Sequence, residues 1–195
     1  MPRAIISPSV LASDFGQLTA ECKRMIKSGA EWLHMDVMDG KSHRDRLRHN
    51  IRHFVPNITM EDPISLINAI HAKGMRAGVA ISPDTPSTAI SDEVGTAADM
   101  LLVMTVYPGY GGQKFLDRCV PKVSDLRERF PEKDIEVDGG VGPQTVDVCA
   151  AAASTTGSNV IVAGTAIFGA SDPGGVITTL KASVNAAQAK IRGAN

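Results

Sequence analysis

The sequence predicts a single α/β domain, residues 1–195, in which parallel β-strands are joined by helices. Short β-rich apolar runs alternate with helical patterns through most of the 195 residues. The strand-like runs are apolar on both faces, which is typical of a buried parallel sheet. Glycine and polar residues collect at the carboxyl ends of these runs, and ligands bind at that end in α/β folds.

The composition excludes several function classes. Apolar residues make up 43% and charged residues 21%, as in an ordinary globular protein, and the net charge of −1 offers no basic field for nucleic acid or a membrane surface. No apolar run approaches the roughly 18 residues of a membrane helix. The N-terminal residues lack the pattern of a secretory signal, so we expect a cytoplasmic protein. Cys22, Cys119 and Cys149 lie far apart, which predicts free thiols.

The first elements follow from apolar runs and capping residues. Ala4–Leu11 predicts a strand that is interrupted by proline. Ser13 or Asp14 caps the helix that follows, and Gly29 ends it. The apolar face of that helix consists of Leu18, Cys22, Met25 and Ile26. Trp32–Met38 predicts the next strand.

Proline and glycine mark the remaining elements. Helices are predicted to open at Asp62-Pro63, Thr85-Pro86, Pro121, Pro143 and Asp172-Pro173. Strands are predicted at Met75–Ile81, Met100–Val106, Ile135–Asp138 and Asn159–Ala163. A glycine-rich loop, Pro108–Gly112, follows the second of these strands. The sequence contains neither GxGxxG nor GxxxxGK[ST], so neither a dinucleotide site nor a P-loop is indicated.

The segment Lys41–His53 breaks this rhythm. It carries five basic residues and three of the five histidines, and it has no apolar face. We interpret it as a solvated insertion. An RNA- or anion-binding arm and a histidine metal site are the alternatives.

Three side chains are candidates for catalysis. His34 and Asp36 lie two apart on one predicted strand, so both point to the same face. Asp138 ends another parallel strand and approaches the same edge of the sheet. A histidine and carboxylates in this arrangement suit a divalent metal, and two facing carboxylates suit a proton transfer with two bases. The alternative is that the aspartates are strand-end caps and that His34 is a hydrogen-bonded core histidine.

Glycines at two strand ends predict an anion site. Gly139-Gly140 and Gly164-Thr165 end the last two strands, where backbone N–H groups can approach a phosphate closely. The loop Gly109–Gln113 is a candidate lid. Met38 and Met104 are candidates to pack over reacting carbons; core packing is the alternative. Ordinary turns are the alternative for the glycines.

Five stretches together resemble the ribulose-phosphate 3-epimerase family. These are Ser7–Leu11, Leu33–Gly40, Phe54–Thr59, Val103–Phe115 and Glu136–Val141. The resemblance implies a (βα)8 TIM-type barrel and an isomerase of the pentose phosphate pathway. Such an enzyme interconverts D-ribulose 5-phosphate and D-xylulose 5-phosphate through a metal-assisted enediolate. Family members are often oligomers, so a homo-oligomer is expected.

The resemblance also implies residue roles. His34, Asp36 and Asp138 would hold one divalent metal ion (Zn, Fe, Mn or Co), and the two aspartates would act as acid and base. The residues expected to contact substrate are Ser9, Met38, Met104, Gly111, Gly112, Gly140, Gly164 and Thr165. A sugar phosphate is therefore the expected small-molecule partner.

The chain departs from the family in one region. Nothing matches the family's second metal histidine, and the chain passes from Phe54–Met60 directly to Glu61-Asp62-Pro63, which resembles the helix before the fifth strand. About six of eight strands are therefore expected, in an incomplete barrel. The alternative function is an impaired isoform or mis-spliced product that binds sugar phosphate at most. Tyr107 stands where many members have glutamate.

Overall fold

A computed structural model describes residues 2–36, 53–55, 57–58, 61–151 and 157–192. Its strands are β1 (Ile5–Pro8), β2 (His53–Phe54), β3 (Arg76–Ile81), β4 (Met100–Met104), β5 (Asp134–Asp138) and β6 (Val160–Ala163). Its α-helices are α1 (Leu18–Lys27), α2 (Pro63–His71), α3 (Asp92–Ala97), α4 (Val120–Arg129), α5 (Val146–Ala150), α6 (Thr165–Phe168) and α7 (Pro173–Arg192). None of the helices described is long and apolar enough to cross a membrane.

The six strands form one parallel sheet in the order β1-β6-β5-β4-β3-β2. Apart from the step from β6 to β1, neighbours in the sheet are neighbours in the chain. A (βα)8 barrel that is opened after its first strand has this order. Beyond the β1 edge a single bridge joins Ser9 to His34, and at the β2 edge a single bridge from Asn57 to Ala80 continues the pairing of β2 with β3. Within the described ranges no strand pairing connects those two edges, so the barrel is incomplete, as predicted.

The two faces of the sheet are buried in different ways. Alternate residues such as Ile6, Leu101 and Ile135 join the main apolar cluster beneath the helices, with Leu66, Leu126 and Leu180. The intervening residues point to the other face, which corresponds to the barrel interior. That face is apolar near Ile5, Leu102 and Val160 and becomes polar toward the carboxyl ends of the strands. The functional side chains lie at these polar ends.

The strand predicted at Trp32–Met38 is wrong in extent. Among its described residues only His34 pairs, through its N–H to Pro8 O at 3.0 Å and through its carbonyl from Val10 N at 2.9 Å. The pairing stops because the chain turns into a 3-10 helix at Val10–Ala12, directly after the bridged residue Ser9. Residues 37–38 lie outside the described ranges, as does the predicted insertion apart from its last residue, His53.

Three other predictions need correction, and two short helices lie where none was predicted. Ile26 was assigned to the apolar face of α1 but is 60% exposed, because it lies about 100° around the helix from buried Met25. Thr85-Pro86 opens only a 3-10 helix at Ser87–Ala89. The short helices α3 and α6 were not predicted, since each has too few turns to show a helical period. The helix predicted at Pro143 begins at Val146.

Candidate active site

The three predicted catalytic side chains meet at the carboxyl ends of the strands. His34 is placed beside the end of β1, Asp36 follows two residues later, and Asp138 is the last residue of β5. One ligand atom from each lies within 4.8 Å of the other two. His34 Nε2 is 3.5 Å from Asp36 Oδ1 and 3.6 Å from Asp138 Oδ2. The imidazole therefore lies within reach of both carboxylates.

Glu136 is a fourth member of the cluster and was not predicted from the sequence. Its Oε1 lies 3.0 Å from His34 Nδ1, and the residue is only 2% exposed. A carboxylate only accepts hydrogen bonds, so Nδ1–H donates and Nε2 is left facing the two aspartates. The signal was present in the sequence: Glu136 is two residues before Asp138 on a strand and shares its face.

Ser9 and Thr105 fix the two aspartates. Ser9 Oγ donates to Asp36 Oδ2 at 3.4 Å. The buried Thr105 hydroxyl donates to the carbonyls of Asp138 at 3.0 Å and Gly139 at 2.6 Å, so it holds the backbone where β5 ends. The predicted contact of Ser9 with substrate is compatible with this position at the site.

The environment of His34 favours its protonated form. Burial alone would lower the pKa of His34, but hydrogen bonds with Asp36 and Glu136 oppose it, together with the charges of Glu136 and Asp138. Together they raise the pKa of His34 well above its usual value of 6.5. The cluster thus attracts positive charge.

The pKa values of the two aspartates shift in opposite directions. The hydrogen bond with His34, together with the His34 charge and the Ser9 hydroxyl, lowers the pKa of Asp36 although burial opposes the change. Burial raises the pKa of Asp138 to about 6, and the charges of Asp36 and Glu136 add to this effect. At neutral pH and without metal, Asp36 is ionised, whereas Asp138 keeps its proton until the pH rises through about 6. Carboxyl pairs separated in this way commonly divide the roles of base and acid.

The donor set fits a divalent cation. Three carboxyl groups surround one largely buried imidazole, so acidic groups outnumber the one basic group among them. One nitrogen and two carboxylate oxygens suit Zn²⁺, Mn²⁺ or Fe²⁺, and catalytic metals commonly have three protein ligands. Among the described residues this cluster has a single histidine.

Some predicted substrate residues lie at this site. Met104 pairs in register with Asp138 on the neighbouring strand. Gly140 has φ +67°, and a Cβ there would lie 2.7 Å from Phe115 N, so only glycine fits this close approach. Gly139 has φ +121° and lies equally tightly against Val106. A Cβ on Gly164 would lie 3.6 Å from Ser9 Cβ. Thr165 follows Gly164 and begins α6.

Other predicted residues are not brought into contact with the cluster. Gly111 and Gly112 are exposed, and a Cβ on either would meet nothing within 4 Å. Met38 lies outside the described residues. The loop that contains these glycines is anchored at its base, where Tyr107 Oη lies 3.0 Å from both carboxylate oxygens of Asp84 and Arg118 donates to Tyr107 Oη at 2.8 Å.

The sequence is similar to one protein family along most of its length. The model of the ribulose-phosphate 3 epimerase family matches residues 5–66 and 59–168. The cytoplasmic isoform of ribulose-phosphate 3-epimerase from Oryza sativa is 40% identical over 237 residues, covering 96% of this chain and 97% of the relative. Ribulose-phosphate 3-epimerase from Bacillus subtilis is 33% identical over 230 residues, covering 91% and 98%.

Solved structures with little sequence identity share the fold. 3-Hexulose-6-phosphate synthase from Salmonella typhimurium is 20% identical, with a TM-score of 0.57 over 86% of this chain and 79% of that chain. Tryptophan synthase from Mycobacterium tuberculosis is 12% identical, with a TM-score of 0.63 over 93% of both chains. These similarities support an α/β-barrel architecture and carry no information about substrate.

The matches locate the departure from the family. The two parts of the family match overlap at residues 59–66, the region in which two strands are expected to be missing. The alignment with the rice relative spans 237 positions although this chain has 195 residues. The relative therefore carries positions that have no counterpart in this chain, as predicted.

Proposed function

Because the chain belongs to the ribulose-phosphate 3-epimerase family, we propose that it interconverts D-ribulose 5-phosphate and D-xylulose 5-phosphate. The observation that carries this proposal is the convergence of Asp36 and Asp138 on His34. A 3-epimerase must remove a proton from the carbon beside a carbonyl and return one to the opposite face. Two carboxyl groups of different acidity supply the base and the acid for this exchange.

Each carboxyl group has a role that its environment supports. Asp36, whose pKa is lowered, accepts the proton, and Asp138, whose pKa is about 6, donates one. The roles exchange in the reverse reaction. Ser9 holds Asp36 by its hydroxyl, and Met104 stands beside Asp138 with an apolar side chain that competes for no proton. We therefore expect substrate to meet a proton acceptor two residues after the bridge at His34 and a proton donor at the end of β5.

The metal and phosphate contacts complete the proposal. A divalent cation held by His34, Asp36 and Asp138 would stabilise the negative charge that develops on the substrate oxygens. Zn, Fe, Mn and Co remain the candidates for its identity. We assign the phosphate and the rest of the sugar to the remaining predicted residues, Met38, Gly111, Gly112, Gly139, Gly140, Gly164 and Thr165. The rice relative is a cytoplasmic isoform by name, which supports a cytoplasmic location within the pentose phosphate pathway.

The test is exchange of the substrate proton with solvent. Ribulose 5-phosphate is incubated with the protein in D2O, and deuterium at C3 is followed by NMR together with formation of xylulose 5-phosphate. We expect both to require a divalent metal and to stop with chelator. Asp36→Asn should slow both by about 10²–10⁴-fold. Asp134→Asn is the matched control, since Asp134 lies on the same strand face as Asp138 but at the other end of β5.

A second candidate is an impaired product that binds sugar phosphate without turnover. It is favoured by the missing family positions and by the single histidine of the cluster. A folded sample with a cooperative thermal transition that binds ribulose 5-phosphate but incorporates no deuterium would establish this candidate and refute the first. Competition with a hexulose phosphate separates a related sugar specificity. The expected homo-oligomer is tested by light scattering.

A further inference from the structure

We propose that Glu136 is a positioning residue, which holds the Nδ1–H of His34 so that Nε2 is presented to a divalent cation. The inference rests on the proposed function only in treating His34, Asp36 and Asp138 as the ligands of that cation. It adds a fourth residue, which touches neither the metal nor the substrate. Its predicted effect is on metal affinity and on the choice of ring nitrogen.

The contact between Glu136 and His34 has the geometry of a hydrogen bond that orients the imidazole ring. Glu136 Oε1 lies 3.0 Å from His34 Nδ1, across 102 positions of sequence. The other ring nitrogen, Nε2, lies 3.5 Å from Asp36 and 3.6 Å from Asp138. The ring is therefore held on one side by a carboxylate and faces the remaining two carboxylates on the other.

The apolar surroundings of Glu136 indicate that its carboxylate has a specific role. Its register neighbours in the sheet are Leu102 and Val160, which are both buried and apolar. A carboxylate in such surroundings is costly unless a hydrogen-bonding or charged partner compensates for it. His34 supplies that partner, so the sequence keeps a costly acid at the position that orients the ligand.

The chemistry explains what the contact does. A metal-ligating imidazole must keep one nitrogen free of a proton, and an acceptor on the other nitrogen fixes the tautomer and the ring orientation. A carboxylate acceptor also increases the basicity of the ligating nitrogen. Without Glu136, the ring can place its proton on Nε2 or rotate, and either change removes a ligand from the site.

The first experiment measures Zn²⁺ affinity by competition with a chromophoric chelator. Glu136→Gln retains the size of the side chain but loses the charge, and we expect a dissociation constant about 10–100-fold higher. The matched control is Asp134→Asn, because Asp134 is two residues earlier on the same strand face and pairs with Arg76 and Asn159 instead. We expect its Zn²⁺ affinity to be unchanged. Equal affinity in Glu136→Gln and the unaltered protein would refute the role of Glu136.

The second experiment needs no variant of Glu136. In the Zn²⁺-loaded protein, ¹⁵N NMR of the histidine rings identifies which nitrogen of His34 carries the proton, with His34→Asn used for assignment. We expect a proton on Nδ1 and metal on Nε2. Metal on Nδ1 would overturn the inference even if Glu136→Gln failed to fold. Stoichiometric Zn²⁺ binding without turnover would contradict the proposed function alone, whereas absence of Zn²⁺ binding would refute the metal site and this inference together.

Discussion

The two ends of the parallel sheet treat buried charge in opposite ways. At the amino ends, Arg127 is only 4% exposed, and its guanidinium donates to the carbonyls of Gly157, Pro131 and Lys133 and to Asn159 Oδ1. At the carboxyl ends, three carboxyl groups converge on the single imidazole of His34. The amino end surrounds a buried charge with hydrogen-bond acceptors, and the carboxyl end has an excess of negative groups.

The polar groups at the amino ends of the strands hydrogen-bond to one another. Asn159 Nδ2 donates to Arg3 O at 3.0 Å and to Asp134 Oδ1 at 2.9 Å, while its Oδ1 accepts from Ile135 N at 2.9 Å. Arg76 donates to the other oxygen of Asp134 at 3.0 Å. This network joins the starts of β3, β5 and β6. Buried polar groups that are satisfied in this way stabilise the fold and define its register.

The comparison separates residues kept for stability from residues kept for chemistry. In α/β barrels the amino face generally serves stability and the carboxyl face serves catalysis. Like charges at the carboxyl face raise the energy of the metal-free protein, and the same charges create the affinity for a cation. Substitutions at the two ends should therefore have opposite effects on activity and on stability.

The largest effect is expected from Asp138→Asn. Loss of the proton donor should lower the turnover number by about 10²–10⁴-fold. Because the change also removes a like charge from the cluster, the metal-free variant should be at least as stable as the unaltered protein at neutral pH. Epimerase assays and urea unfolding in chelator measure the two quantities. If Asp138→Asn were both active and less stable than the unaltered protein, Asp138 would serve stability rather than catalysis.

The amino end should respond in the opposite way, through Arg127→Met. The change leaves three carbonyls without the donor that Arg127 supplies and removes one of the two donors to Asn159 Oδ1, so we expect the free energy of unfolding to fall by about 3–5 kcal/mol. Activity per folded molecule should not change. Arg127→Lys, which can restore part of the network, is the control and should fall in between. Unaltered stability of Arg127→Met would contradict a structural role for this end.

Much of the fold was predictable because its signals are local. Apolar runs bounded by proline and glycine located β3 to β6 and the helices α2, α4 and α7. The failures depended on tertiary contacts. Among its described residues, the strand predicted at Trp32–Met38 forms one bridge because β1 ends beside it. Ile26 faces solvent because the buried position of α1 is Met25. Neither fact is encoded within the segment itself.

The site shows the same division. The spacing of His34 and Asp36 and the position of Asp138 at a strand end predicted that the three would meet. Glu136 was missed because its partner lies 102 positions away and an acid in an apolar strand carries no signal of which residue it supports. Gly111 and Gly112 resemble family positions, but their distance from the cluster depends on how the loop is held.

The next effect is a pH dependence that only the carboxyl end should show. In the metal-free protein the pKa of Asp138 is raised from 3.8 to about 6, so its stabilising contribution is present below pH 3.8 and is lost as the pH rises through 6. At about 1.4 kcal/mol per pH unit, this loss is on the order of 2–3 kcal/mol by pH 7.5. The raised pKa of His34 acts in the same direction at higher pH.

The measurement is urea unfolding in chelator at pH 4.5, 6.0 and 7.5. Asp138→Asn should gain stability relative to the unaltered protein as the pH rises across this range. The difference between Arg127→Met and the unaltered protein should stay constant, because burial lowers the pKa of Arg127 only to about 10, above the range. A pH-independent difference for Asp138→Asn would contradict the charge imbalance at the carboxyl end.

The smallest effect is expected from Tyr107→Phe. Tyr107 follows β4 at the carboxyl ends of the strands, but its polar contacts are separate from the acidic cluster around His34. Tyr107 is 46% exposed, and its hydroxyl is shared by Asp84 and Arg118. Exposed polar contacts contribute little, because water replaces them. We therefore expect an unchanged melting temperature and less than about a threefold change in kcat/KM. A tenfold rise in KM at constant kcat would instead assign the loop after β4 to substrate binding.

Gln113→Ala tests that assignment independently. Gln113 Nε2 donates to the carbonyls of Tyr107 and Tyr110 and so holds the loop in place. If the loop binds the sugar phosphate, Gln113→Ala should raise KM as much as Tyr107→Phe does.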